Sequence, residues 1–101
     1  MSATYRRVLD HALGATLGVE FTTEKGRVLD YAVVLMVVTD ETAETVRVYD
    51  AAHGFNEMHR FTRNGDKQAG VPFHPGTLAD GMQVAIESIE AGYHEMIEGW
   101  R

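Results

Sequence analysis

Apolar residues crowd into one run, Tyr31-Ala32-Val33-Val34-Leu35-Met36-Val37-Val38, where both alternating positions are hydrophobic. A β-branched segment of this kind reads as a central strand covered on both faces. We place it over 27–39. One cover is expected from a C-terminal helix, the other from the N-terminal segment or a partner subunit. Past the polar turn 40–44 the pattern alternates. Val46 and Val48 fall on one face of a strand over 45–50, Arg47 and Tyr49 on the other. Residues 57–63 and 66–71 read as two further strands. They join at Asn64-Gly65, a pair suited to a type I′ turn because that turn needs positive φ at both central residues.

The two ends of the chain carry a different period. Leu78, Met82, Ala85, Ile89, Tyr93, Met96 and Trp100 recur every three or four residues and form one helical stripe over 77–100. Thr77 can cap it, with Asp80 three residues on. Gly92 lies in the stripe, which predicts close approach of the helix to the sheet there. Tyr5, Val8, Leu9, Ala12 and Leu13 also fall at helical spacing and predict a short N-terminal helix ended by Gly14 and Gly18. A short strand over 19–23 and a turn at Glu24-Lys25-Gly26 follow. The fold class is α+β: one domain over 1–101, an antiparallel meander of about four strands packed by the C-terminal helix.

Composition narrows the function classes. The 101 residues include no cysteine, so disulfides, thiolate zinc sites and cysteine nucleophiles are excluded. No apolar run reaches the ~20 residues of a membrane span. Met1–Arg7 is followed by Asp10 and His11 and does not read as a signal peptide. The expectation is a cytoplasmic protein with no membrane partner. A net charge of −6 argues against a broadly basic nucleic-acid binder. The acid is concentrated in 77–100, which has no Lys or Arg, while 45–68 is close to balanced. A modest RNA-contacting face is therefore compatible with the middle of the chain.

The candidate chemistry lies between Tyr49 and Arg60. Asp50, His53 and His59 flank a bend at Gly54. Two histidines whose unperturbed pKa is ~6.5 suit general acid–base work on a phosphodiester. Asp50 would orient one of them, and Arg47 or Arg60 would contact the phosphate. No cofactor is required. The same residues admit blander readings: Asp50 holding a turn through backbone amides, His53 and His59 as surface or packing residues. Asp50, His53 and His59, with His74 if it comes close, could also ligate zinc, although their spacing matches no established structural site. His74 otherwise reads as a loop packing element, and His94 as part of a solvated face between Glu90 and Glu98.

The run Val48-Tyr49-Asp50-Ala51-Ala52-His53-Gly54-Phe55-Asn56-Glu57-Met58-His59-Arg60 resembles a motif of small prokaryotic proteins related to the TumE-type toxins of toxin–antitoxin loci. In these, Tyr-Asp and Ala-His-Gly precede a His-x-His-like pair. The likeness spans roughly residues 28 to 100, with only the motif specific. It implies a ribonuclease-like toxin or an inactive cousin, a cognate antitoxin as partner, and site positions Tyr49, Asp50, His53, Gly54 and His59, Tyr49 on the substrate side. Here His59 is followed by Arg60 and Phe61, so the second member of the pair is missing and His53 is the one partner left for His59. The alternative is a non-catalytic interaction module whose acidic helix face meets a basic partner. A homodimer would cover the long apolar strand if its second face is exposed.

Overall fold

A computed structural model describes all residues, 1–101. Six strands form one sheet: β1 (Ser2–Asp10), β2 (Ala15–Glu24), β3 (Arg27–Val38), β4 (Ala43–Asp50), β5 (Asn56–Arg60) and β6 (Val71–His74), followed by helix α1 (Leu78–Trp100). The strands lie side by side in chain order and every neighbouring pair is antiparallel. The α+β class holds; four strands is an undercount.

The two added strands come from the N-terminal third. The stretch expected as a helix is β1, paired with β2 from Ser2↔Thr22 to Asp10↔Ala15. Its apolar residues imitate a helical stripe, but Tyr5 and Val8 are exposed and the backbone hydrogen bonds go to β2. Charged Arg6 and Arg7 on this outermost strand discourage pairing with another chain. Gly18 sits inside β2 rather than ending a helix, and β2 is longer than 19–23. Gly14 does mark a break: its φ is +72°, and a Cβ there would lie 2.2 Å from the Val38 carbonyl oxygen.

The turns also exchange roles. Lys25 and Gly26 connect β2 to β3 with φ of 51° and 77°, the doubly positive geometry expected at Asn64-Gly65. At the latter only Gly65 is positive. Its N–H closes a turn on the Thr62 carbonyl, and Phe61 bridges Lys67. The ladder then breaks. Gln68 N–H reaches the Arg60 carbonyl, while the next register is Met58↔Val71. So β5 ends at Arg60, residues 66–70 are an irregular arm, and the last strand is Val71–His74. Pro72 is tolerated because β6 is an edge that needs no donor on its outer side.

Helix α1 covers one face only. Tyr31, Val33, Leu35 and Val37 of β3 are buried with Leu17, Val19, Ala85, Ile89 and Ile97 in a single core. The alternate residues Ala32, Val34, Met36 and Val38 are half-buried on the open face. No N-terminal segment lies over them, because that segment is spent on β1. A register shift between Leu35 and Met36 breaks the alternation of β4, and Val46 is buried although Val48 is only partly so.

Asn56 fixes the helix to the sheet. It is 1% exposed. Its Oδ1 accepts the Tyr31 hydroxyl at 2.6 Å, and its Nδ2 is shared among the carbonyls of His74, Gly76 and Thr77 at 3.0–3.2 Å. Burial, reinforced by the nearby Asp50 charge, pushes the Tyr31 phenol well above its ordinary pKa, so it remains a proton donor. The Thr77 hydroxyl then accepts from Asp80 N–H at 3.2 Å as the N-cap.

The close approach expected at Gly92 occurs at Gly81. A Cβ on Gly81 would sit 1.9 Å from Asn56 Oδ1, whereas one on Gly92 would meet only the tip of Met96 at 3.3 Å. Gly81→Ala should therefore destabilise by about 1–3 kcal/mol through overpacking. Gly92→Ala should be neutral or stabilising by up to about 1 kcal/mol, from helix propensity. Urea unfolding of the two variants checks the order; equal effects would show that the helix does not rest on Asn56.

Candidate functional site

Strands β4 and β5 pair with Asp50 opposite Glu57, Val48 opposite His59, and Arg47 opposite Arg60. Residues two apart on a strand share a face, so Glu57 and His59 lie on the same side. Asp50 joins them, and together the three residues occupy the face that α1 leaves open. All are buried, at 5–7% exposure, because the arm after β5 closes over them. The Gln68 carbonyl lies 3.0 Å from His59 Nδ1, and Lys67 Nζ lies 4.0 Å from Asp50 Oδ2. Gly70 lies flush on the Glu57 carboxylate, where a Cβ would come within 2.3 Å of Cδ.

The hub of the cluster is Glu57 Oε1. His53 Nδ1 stands 2.8 Å from it and His59 Nε2 3.0 Å. His59 Nε2 is also 3.8 Å from Asp50 Oδ2. Asp50 Oδ1 accepts the Ala52 N–H at 3.3 Å, so the turn role and the cluster role coexist in one side chain. The Gly54 bend, with φ of +85°, carries His53 from β4 back over Glu57. The two imidazoles differ sharply in access: the His53 side chain is 66% exposed and that of His59 is 7%. His53 donates its Nδ1 proton to Glu57 and turns its other nitrogen away from that bond. His59 donates Nδ1–H to Gln68 and faces the two carboxylates with Nε2. The hydrogen bond from His53, and then the charges and second bond of the histidines, hold the Glu57 carboxyl below its ordinary value despite burial.

The predicted phosphate contacts are elsewhere. Arg47 and Arg60 line a cleft of about 270 Å³ with Phe61, Glu95, Met96 and Trp100, under the C-terminal end of α1. Arg47 reaches the Tyr49 hydroxyl at 3.4 Å, and Tyr49 is buried edge-on against Phe73. Arg47, Tyr49 and Arg60 thus stand on the helix side, opposite Asp50, His53 and His59. The cation beside the carboxylates is Lys67. His74 is not in a loop: it closes β6 opposite Asn56, and its main-chain carbonyl accepts from the Asn56 amide. His94 pairs with Asp10 at 3.4 Å and stacks on Tyr93, and Arg7 takes Glu90, so this part of the helix face braces β1.

Sequence reasoning missed Glu57, Lys67 and Gly70. Glu57 had a signal: it stands two residues before His59 in a strand and so had to share its face. Lys67 and Gly70 had none, because their place depends on the break in the β5–β6 ladder.

Residues 1–101 match, over their whole length, the family model described as Domain of unknown function (DUF7718). The chain belongs to the DUF7718 family. No curated protein and no solved structure matches it. In this DUF7718 domain the Glu57 hub is where ionisable groups converge.

Because Glu57 titrates below its ordinary value of 4.5 in the fold, its contribution to stability is complete above that pH. It is lost as pH falls through the depressed native value. Glu57→Gln should flatten the acid limb of a melting-temperature profile below the ordinary glutamate value, on the order of one native carboxylate's titration. An unchanged acid limb would place the acid-sensitive group elsewhere.

Proposed function

We propose that the protein cleaves phosphodiester bonds in RNA, with His53 as the solvent-facing base. The observation that carries this reading is the pairing of an exposed imidazole with a buried carboxylate at 2.8 Å. Glu57 fixes the His53 tautomer, so that Nε2 holds the free lone pair and can take a proton from a hydroxyl at the surface. For RNA that hydroxyl is the 2′-OH. Its oxygen bonds to phosphorus, the bond to the 5′-oxygen breaks, and that leaving oxygen gains a proton from water. His59 and Asp50 are positioning residues: His59, enclosed on both nitrogens, holds Glu57, and Asp50 holds His59. This revises the assignment of His53 and His59 as a matched acid and base, since His59 has no access to a substrate. RNA as the substrate class is supported by the resemblance to TumE-type toxins, which also supports an antitoxin partner. Lys67, not Arg47 or Arg60, is the cation placed to meet a phosphate on this face.

A second reading is a protein-interaction module, with the exposed Asp80, Glu87 and Glu98 of α1 meeting a basic partner. The absence of Lys and Arg from Thr77 to Trp100 favours it. A homodimer over the half-buried Val34, Met36 and Val38 is compatible with either. No helix is long and apolar enough to cross a membrane.

Purified protein incubated with mixed RNA, with and without added Mn²⁺, should cut it. His53→Ala should lower the rate by about 10²–10⁴-fold, the usual share of a general base; it also removes a bond to the buried Glu57, so circular dichroism verifies that the variant is folded. Arg60→Gln, on the opposite face, should cut at the parental rate. Intact RNA under both conditions, or equal cutting by His53→Ala, would remove the proposal.

A further inference from the structure

We propose that Asp50, Glu57 and His59 form a binding site for one divalent first-row transition-metal ion, directly beneath His53. The inference rests on the reading of this cluster as the working centre and names the ion it would use. One ligand atom from each of the three residues lies within 4.8 Å of the other two. Donors bound at ~2.0–2.2 Å around a tetrahedral or octahedral ion are about 3.0–3.5 Å apart. The separations of 3.0 Å from His59 Nε2 to Glu57 Oε1 and 3.8 Å to Asp50 Oδ2 bracket that spacing. Those two separations match a shared ion, and the two carboxylate oxygens, within 4.8 Å of each other, would be drawn together by it.

Three further features fit an ion rather than an ordinary hydrogen-bond network. First, His59 gives Nδ1–H to the Gln68 main-chain oxygen at 3.0 Å and turns Nε2 inward onto Glu57 Oε1, where an ion would replace the shared proton. Metal-ligating histidines make that outer bond almost without exception. Gln68 lies on the irregular arm, outside the cluster, so this geometry is independent of the acids. Second, two carboxylates are buried side by side, at 8% and 11% side-chain exposure. Glu57 has both imidazoles on one oxygen, while Asp50 has only His59 at 3.8 Å and the half-exposed Lys67 at the 4.0 Å limit of an ion pair. Asp50 and Glu57 are also direct cross-strand partners, and like charges placed opposite each other destabilise a sheet. A divalent cation cancels both carboxylates and turns their repulsion into chelation. Third, Gly70 leaves just enough room for the Glu57 carboxylate under the arm. An imidazole in the set favours Mn²⁺, Fe²⁺ or Zn²⁺ over Ca²⁺ and Mg²⁺, which prefer oxygen alone. His53, 2.8 Å from Glu57, stands at the open side, where a bound water or a phosphate oxygen would enter.

The test uses the full chain, stripped with chelator and dialysed. Co²⁺ is added first and followed by visible absorption, which needs no variant; a single saturating band set at one ion per chain is expected. Titration calorimetry with Mn²⁺ and Zn²⁺ should give the same stoichiometry. Asp50→Asn and Glu57→Gln should each weaken binding by at least ~100-fold and Gly70→Ala by ~10-fold, the range seen when ligands or their supports are lost. His94→Gln, at the distant Asp10 pair, should bind as the parent does. Circular dichroism verifies that each variant is folded. No binding at millimolar Co²⁺, Mn²⁺ and Zn²⁺, or binding that survives both Asp50→Asn and Glu57→Gln, overturns the inference. No RNA is present, so the outcome is separate from the cleavage assay. Cutting in chelator by a protein that binds no ion would sink the metal and leave the nuclease, and binding without cutting would do the reverse.

Discussion

The side chain of Asn56 is the constraint on which the rest of the molecule depends. One amide joins the Tyr31 hydroxyl in the central strand to three carbonyls at the entry to α1. The residue is buried at the first position of β5, immediately after the loop that carries His53. Sheet, helix and functional loop therefore meet at a single group. Removing it would leave a phenol and several carbonyls without partners in the interior, and each such buried group costs about 1–3 kcal/mol. Gly81 belongs to the same joint, since only a residue without Cβ lets the helix descend onto the amide. Because α1 covers one face alone, little else sets its position over β3 and β4 at this end.

That one-sided architecture explains how a chain this small can hold an ionisable centre. Core and cluster use opposite faces of the same two strands. Tyr49 goes into the core while its neighbour Asp50 goes to the open face, and Asn56 locks the helix while its neighbour Glu57 receives both histidines. The period-2 geometry of a strand separates packing from chemistry with no intervening residue. The arm after β5 supplies the enclosure that the open face lacks. It costs the ladder its regularity between Gln68 and Val71, and in return it places a carbonyl on His59 and a backbone without side chain on Glu57.

The sequence made the helix legible because an amphipathic stripe with a Thr cap is a local signal and the structure has no reason to override it. The long apolar strand was equally legible, yet its double cover was not found, since a β-branched run reads the same whether its second face is covered or merely half-buried. The helical period of Tyr5, Val8, Leu9, Ala12 and Leu13 arises by chance: the first three lie on an edge strand with no strong alternation to contradict it, and the last two in the turn that follows. Asp50, His53 and His59 were read correctly as neighbours, because a short bend forces them together. Arg47 and Arg60 were grouped with them by proximity in the chain, although strand parity sends them to the other face. Glu57 was available from that same parity. Lys67 and Gly70 were not, because a ladder break is a tertiary event with no residue pattern of its own.

Parity also bears on why β4 and β5 are built as they are. Their pairing sets acid against acid on the open face and guanidinium against guanidinium under the helix. Either pair alone lowers the stability of the ladder. A sheet selected for stability alone would have exchanged one member of each pair, a change available by single substitutions. The basic pair has partial relief, since Arg47 and Arg60 lie beneath the C-terminal end of α1, where the helix dipole is negative and Glu95 lines the same cleft. The acidic pair is repaired by other groups: Glu57 Oε1 has both imidazoles on it, Asp50 accepts the Ala52 N–H, and Lys67 stands nearby. These neighbours outweigh burial and favour the Glu57 carboxylate. A local rule that is broken and then compensated by ionisable groups drawn onto one oxygen is the pattern expected where function resides, and it is the same place where an exposed histidine has been anchored.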